Sequence, residues 1–175
     1  MANHELRPIA ETVNLLLAFK RKSKGGGINN KCFRTIIRNY EDDLIMLENR
    51  CKLAGGRWRI HKTVNARDTK KAKIWMLHKL IETNQFDGCI DSLWRTALLQ
   101  SECKAEKNFL FDVDTKDQTL IKDFEIMIRD YLIQKTESPN GYHFITRPFD
   151  TREVCKLDYV TLIRDGYVFV KKIGE

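Results

Sequence analysis

Proline is scarce in this chain, with three residues in 175, and glycine accounts for only nine. That composition excludes a collagenous or low-complexity disordered chain. No uninterrupted run of ~18 apolar residues exists, so no segment is expected to span a membrane. Met1 to Ala10 lack a basic stretch followed by an apolar one. No export signal is therefore expected, and the cytoplasm is the expected location. The cysteines are Cys32, Cys51, Cys89, Cys103 and Cys155, and no two lie within a dozen positions. This removes the CxxC zinc knuckle and the vicinal redox pair. Their odd number predicts reduced thiols in or near the core.

Charge, by contrast, is plentiful: 31 Lys+Arg stand against 24 Asp+Glu, a formal +7. A basic surplus speaks for a polyanionic partner. It is unevenly spread. Residues 1–108 hold 21 basic and 12 acidic side chains, whereas residues 109–175 hold 10 and 12. The length suits one domain, or one compact fold built from two small modules.

Local patterns predict an α/β (α+β) fold. An apolar helix is expected around Ile9 to Phe19. The basic run Lys20 to Lys24 and Gly25-Gly26-Gly27 follow it, so residues 1–30 are expected to be an N-terminal helix and a flexible, basic, glycine-rich joint. Residues 31–108 form a basic βαβα unit. It holds a strand over Phe33 to Arg38, a helix opened by Glu41-Asp42-Asp43 and closed by Gly55-Gly56, a strand over Arg57 to Val64, and a helix over Thr69 to Glu82. Residues 109–175 form an RRM-like βαββ unit with a final hairpin. Its parts are the apolar strand Phe109 to Val113, a helical stripe from Leu120 to Tyr131, strands over Leu132 to Thr136 and Tyr142 to Thr146, and a closing pair turned at Arg164-Asp165-Gly166.

Asp112 and Asp114 carry the strongest chemical signal. Alternate residues of a strand share a face, so both carboxylates project the same way from the end of an apolar run. Two anions so placed repel unless a cation sits between them, and Mg²⁺ or Mn²⁺ commonly bridges carboxylates and substrate phosphates. His143 follows the turn Ser138-Pro139-Asn140-Gly141, where glycine permits close backbone approach and the imidazole can donate to a phosphate oxygen.

Phe109 to Asp114 followed by Ser138 to Ile145 resembles the first two motifs of the archaeo-eukaryotic primase superfamily, a hydrophobic strand ending in Asp-x-Asp and then a Gly-Tyr-His segment. The resemblance implies an αβ unit packed on an RRM-like unit, and a minimal primase-polymerase core of phage or mobile-element type. It implies that Asp112 and Asp114 hold divalent metal, with Asp158 of Leu157-Asp158 as the third carboxylate. His143 and Ser138 would contact the phosphates of an incoming NTP or dNTP. Nucleic acid and other replication proteins are the implied partners.

In the basic half, Arg67 and Lys70 near a helix start form an expected nucleotide-phosphate site. Arg57, Arg59, Lys62 and Lys71 form an expected nucleic-acid surface. Two other functions compete. One is a non-catalytic RRM-like module in which Tyr142 and Phe144 stack bases. The other is a phosphoesterase using His61 and His143, although the second histidine stands in His-x-x-Thr, which turns Thr146 to the opposite face. Asp112-Val113-Asp114-Thr115 also matches the opening of haloacid-dehalogenase-like phosphatases, but the remaining chain reads as hairpins.

Overall fold

The computed structural model describes residues 10–21, 28–83 and 90–174, apart from the side chains of 28–31. The basic run beyond Arg21, the triple glycine and Cys89 lie outside the described residues. In chain order the elements are β1 (Thr12–Val13), β2 (Leu15–Arg21), β3 (Ile28–Ile36), α1 (Tyr40–Ala54), β4 (Trp58–Thr63), β5 (Arg67–Asp68) and α2 (Thr69–Thr83). There follow α3 (Ile90–Leu98), β6 (Phe109–Val113), α4 (Gln118–Ile128), β7 (Leu132–Glu137), β8 (Tyr142–Thr146), β9 (Val160–Ile163) and β10 (Tyr167–Ile173). The fold is α+β, as expected. Among the described residues no helix is long and apolar enough to cross a membrane.

Two four-stranded antiparallel sheets carry the architecture, with strand orders β10-β4-β2-β3 and β7-β8-β6-β9. Strand order in the second sheet is that of a split βαβ unit, which fits the RRM-like expectation. α4 covers one face of it, packing Ile121, Phe124 and Ile128 on Phe111, Val113 and Phe144. In the first sheet α1 covers one face, where Leu47 and Cys51 meet Leu16, Ala18, Trp58 and Ile60. Part of the opposite face meets α2 and α3 through Leu15, Leu17, Ala72, Ala97 and Leu98. Both sheets keep one face, or part of one, for each other.

α1 starts where the sequence places it. The Asn39 side chain accepts from the Glu41 N–H, and Asp43 accepts from the Asn39 amide and from that of Arg38 just before the cap, so helix-start donors are satisfied and the entering chain is held. Gly55, at φ 62°, ends it in a conformation that other residues adopt at a cost.

Two expectations are corrected. The helix expected over Ile9 to Phe19 is instead the inner strand β2, with Leu15, Leu16, Leu17 and Ala18 all buried. A strand covered on both faces has a continuous apolar run, and such a run does not distinguish strand from buried helix. The expected closing hairpin also does not form. β9 pairs with β6, while β10 crosses to the first sheet and pairs with β4. Sheet membership therefore cuts across the expected divisions at residues 30/31 and 108/109. Of the cysteines, Cys51 and Cys103 are buried, Cys32 is half-buried and Cys155 is exposed, all four as free thiols.

Candidate active site

A cleft of about 490 Å³ opens between the facing sheets. One wall comes from β6 and β8. Phe111 and Val113 turn into the core beneath α4, so Leu110, Asp112 and Asp114 line the cleft. Asp112 lies directly opposite His143 in the β6–β8 register, which puts both side chains on one face. His143 is buried, with Nε2 3.3 Å from Asp112 Oδ1. Its Nδ1 accepts the Phe169 amide of β10 at 3.3 Å, a link between the two sheets. With Nδ1 accepting, Nε2 is the ring nitrogen left to carry a proton. Asp112 Oδ1 is itself buried and makes no hydrogen bond.

The turn before β8 completes this wall. Ser138, Pro139 and Asn140 line the cleft beside Asp114. Ser138 Oγ accepts the Gly141 amide at 3.2 Å, and its N–H donates to the Gly141 carbonyl. Gly141 is required here by proximity: a Cβ would stand 2.0 Å from the Val113 carbonyl oxygen and 2.8 Å from that of Thr115. Those two carbonyls flank Asp114, so the glycine is what lets the turn close on the carboxylate.

The facing wall comes from the first sheet. Phe19 and Arg21 of β2, Arg59 and His61 of β4, and Tyr167 and Phe169 of β10 line it. Phe19 and Arg59 are register partners, so Arg21 lies just past Arg59 on the neighbouring strand. Burial, and then the charge of Arg21, pulls the Arg59 guanidinium below its ordinary value. His61 packs edge-on against the rings of Phe19 and Phe169. Burial pushes its pKa down to about 4, with the charges of His143, Arg59 and Arg21 adding to the depression and a hydrogen bond with the Tyr167 backbone opposing it.

Against family models, curated proteins and solved structures, the chain finds no match. The site therefore rests on its own geometry.

Of the expected site residues, Asp112, Asp114, Ser138, His143 and Arg59 meet in this cleft. Others lie elsewhere. Asp158 is exposed ahead of β9 and is not among the cleft residues; the third carboxylate on the cleft wall is Asp165. Asp165 is held by Arg67, whose Nη1 and Nη2 donate to its two oxygens at 3.0 and 2.8 Å. Arg67 has no exposed surface, so the expected nucleotide contact is instead a structural clamp on the β9–β10 turn. Lys70 is exposed and paired with Glu11 at 3.0 Å, outside the cleft. Lys62 stands over the Tyr40 ring and Lys71 lies in a separate groove. Arg57 also lies outside the cleft lining.

Phe19 and Arg21 escape sequence reasoning because the segment holding them reads as a helix and a joint. A signal is present in the alternation of Leu17, Phe19 and Arg21 on one strand face.

The carboxylates can be tested as a metal site. Among the described residues no cluster of three or more His, Cys, Asp and Glu side chains is arranged to hold a metal. Magnesium does not require one, since it commonly takes one or two protein carboxylates, several waters and substrate phosphates. A buried Asp112 oxygen with no hydrogen bond, next to a second carboxylate on the same face, fits that demand.

Proposed function

We propose that the protein is a metal-dependent nucleotidyltransferase resembling a primase-polymerase core, which joins an NTP or dNTP to a nucleic-acid 3′ end or begins a primer. One observation carries this reading: the carboxylates Asp112 and Asp114 share a cleft with His143, facing Arg21 and Arg59 on the opposite sheet. Negative charge able to hold a cation thus stands across from positive charge able to hold a polyphosphate.

Asp112 and Asp114 would hold Mg²⁺ or Mn²⁺, which when bound offsets charge on the attacking 3′-oxygen and the leaving pyrophosphate. The chain's own groups do the rest. His143, oriented by the Phe169 amide, offers its Nε2–H to a phosphate oxygen, and the Ser138 hydroxyl keeps its proton for the same purpose. Arg21 and Arg59 repel each other in the free protein, and a polyphosphate between them relieves that repulsion. Phe19, Tyr167 and Phe169 form an aromatic wall suited to a base or sugar. Nucleic acid, nucleoside triphosphate and other replication proteins are the partners under this reading.

The test is incubation with a primed template, labelled nucleotides and Mg²⁺ or Mn²⁺, comparing wild type with Asp112→Ala/Asp114→Ala. Extension by the wild type that is lost in the variant supports the proposal. Nucleic-acid binding without extension by either protein overturns it in favour of a binding module.

One observation favours a second reading, a phosphoesterase using two histidines: His61 and His143 line the same cleft. Its motif is incomplete. Thr63 Oγ accepts the Leu15 amide and donates to Asn14, and Thr146 is fully buried. Hydrolysis of a cyclic phosphodiester that is lost in His61→Ala yet kept in the double aspartate variant would establish it.

A further inference from the structure

A second concavity, of about 440 Å³, lies beside the cleft and gathers Lys71, Lys104, Lys107 and Arg164 with one acidic neighbour, Glu102. None of the four cations makes an ion pair among the described residues, whereas Lys70, Lys79, Lys156 and Lys171 each do. The cations come from distant parts of the chain. Lys71 lies in the first turn of α2, Lys104 and Lys107 precede β6, and Arg164 opens the β9–β10 turn. Arg164 rests over the Phe109 ring, 5.9 Å from its centroid, which holds the guanidinium at the groove.

The groove and the cleft share two partitions. Phe109 lines the groove and its neighbour Leu110 the cleft; Arg164 lines the groove, and Asp165 and Gly166 the cleft. A strand leaving the cleft past the β9–β10 turn thus passes directly onto four cations.

We infer that this groove seats the sugar–phosphate backbone of a single nucleic-acid strand running out of the cleft. Repeated phosphates match unpaired cations from three parts of the chain, and a basic groove beside an aromatic side chain is how sequence-tolerant strand binding is built. Choosing nucleic acid as the polyanion rests on the nucleotidyltransferase reading; the groove itself does not depend on the carboxylates.

The test uses fluorescence anisotropy with a labelled oligothymidylate across a salt series, on the full chain. Lys104→Gln/Lys107→Gln and, separately, Lys71→Gln/Arg164→Gln are compared with Lys52→Gln/Lys122→Gln, which removes equal charge from outside the groove. Circular dichroism confirms folding of each variant. Each groove variant is expected to bind at least about 10-fold more weakly near 0.1 M salt. Its slope of log K against log salt should be shallower by about 0.7 for each strand phosphate no longer neutralised. The control should stay within about threefold of wild type, having given up only diffuse attraction. Equal losses in groove and control variants, or no loss in the groove variants, overturn the inference. Asp112→Asn/Asp114→Asn is run alongside. Its retained oligonucleotide affinity with abolished nucleotide incorporation separates failure of the groove from failure of the catalytic reading.

Discussion

Arg67 and Asp165 are 98 positions apart, yet two parallel hydrogen bonds join them, and the arginine has no exposed surface. The pair ties the start of α2 to the β9–β10 turn, where the chain passes from one sheet to the other. Removing one partner strands the other's charge. Asp165→Asn is expected to cost about 3 kcal/mol, near the lower end for breaking a buried pair because Asp165 is 23% exposed. Urea denaturation should show a lower midpoint with unchanged slope. Arg67→Met/Asp165→Leu should cost less than the two single changes added together.

Asp112 and Asp114 are expected to matter for activity and little for stability. Asp112→Asn removes one of two like charges, and the oxygen nearest His143 makes no hydrogen bond that the change would break. Metal-dependent nucleotide incorporation should fall by roughly 100-fold or more, the scale of losing one positioned electrostatic group. The melting temperature should hold or rise. Asp158→Ala, outside the cleft, should retain incorporation near the wild-type rate.

Gly141→Ala is a test of the close approach between the β8 turn and the end of β6. The added methyl would meet the Val113 carbonyl oxygen at 2.0 Å, and backbone, unlike a flexible side chain, has little room to yield. A loss of about 1–3 kcal/mol is expected in thermal or chemical unfolding, as for other forced overpacking. Incorporation should fall as well, because the displaced turn carries Ser138.

His61 makes stability depend on acidity. Its pKa in the fold is about 4, below the ordinary 6.5, so the unfolded chain binds the extra proton first. Stability is whole above about pH 6.5 and is lost as pH falls toward 4, by up to about 3 kcal/mol. His61→Phe places a ring of similar size between Phe19 and Phe169 and should flatten the stability profile between pH 6.5 and 4. A slope as steep as that of the wild type would show that another group is responsible.

Arg21→Ala and Arg59→Ala should each weaken triphosphate binding by about 10-fold or more, the worth of a hydrogen bond to a charged group. Protection against thermal unfolding by a non-hydrolysable NTP with Mg²⁺ measures this. Lys70→Ala, already engaged with Glu11 outside the cleft, should bind as the wild type does.

Much of the β6–β8 wall of the cleft is legible in the residues themselves. A strand's two-residue repeat sends Asp112 and Asp114 to one face whatever lies around them, and Pro139 with Asn140-Gly141 announces the turn that presents His143. The acidic tone of residues 109–175 and the opening of α1 at Glu41-Asp42-Asp43 are likewise local matters. Leu15 to Phe19 is not legible, because its burial on both faces comes from α1 on one side and α2 and α3 on the other. Nor does any local pattern separate β9 from β10, or send Arg67 inward to Asp165 rather than out to a phosphate. Those outcomes depend on which remote strands pair and which charges must be neutralised once buried. Sequence periodicity determined which side chains share a face; only the packing of two sheets decided which faces meet, and so placed Arg21 and Arg59 opposite Asp112 and Asp114.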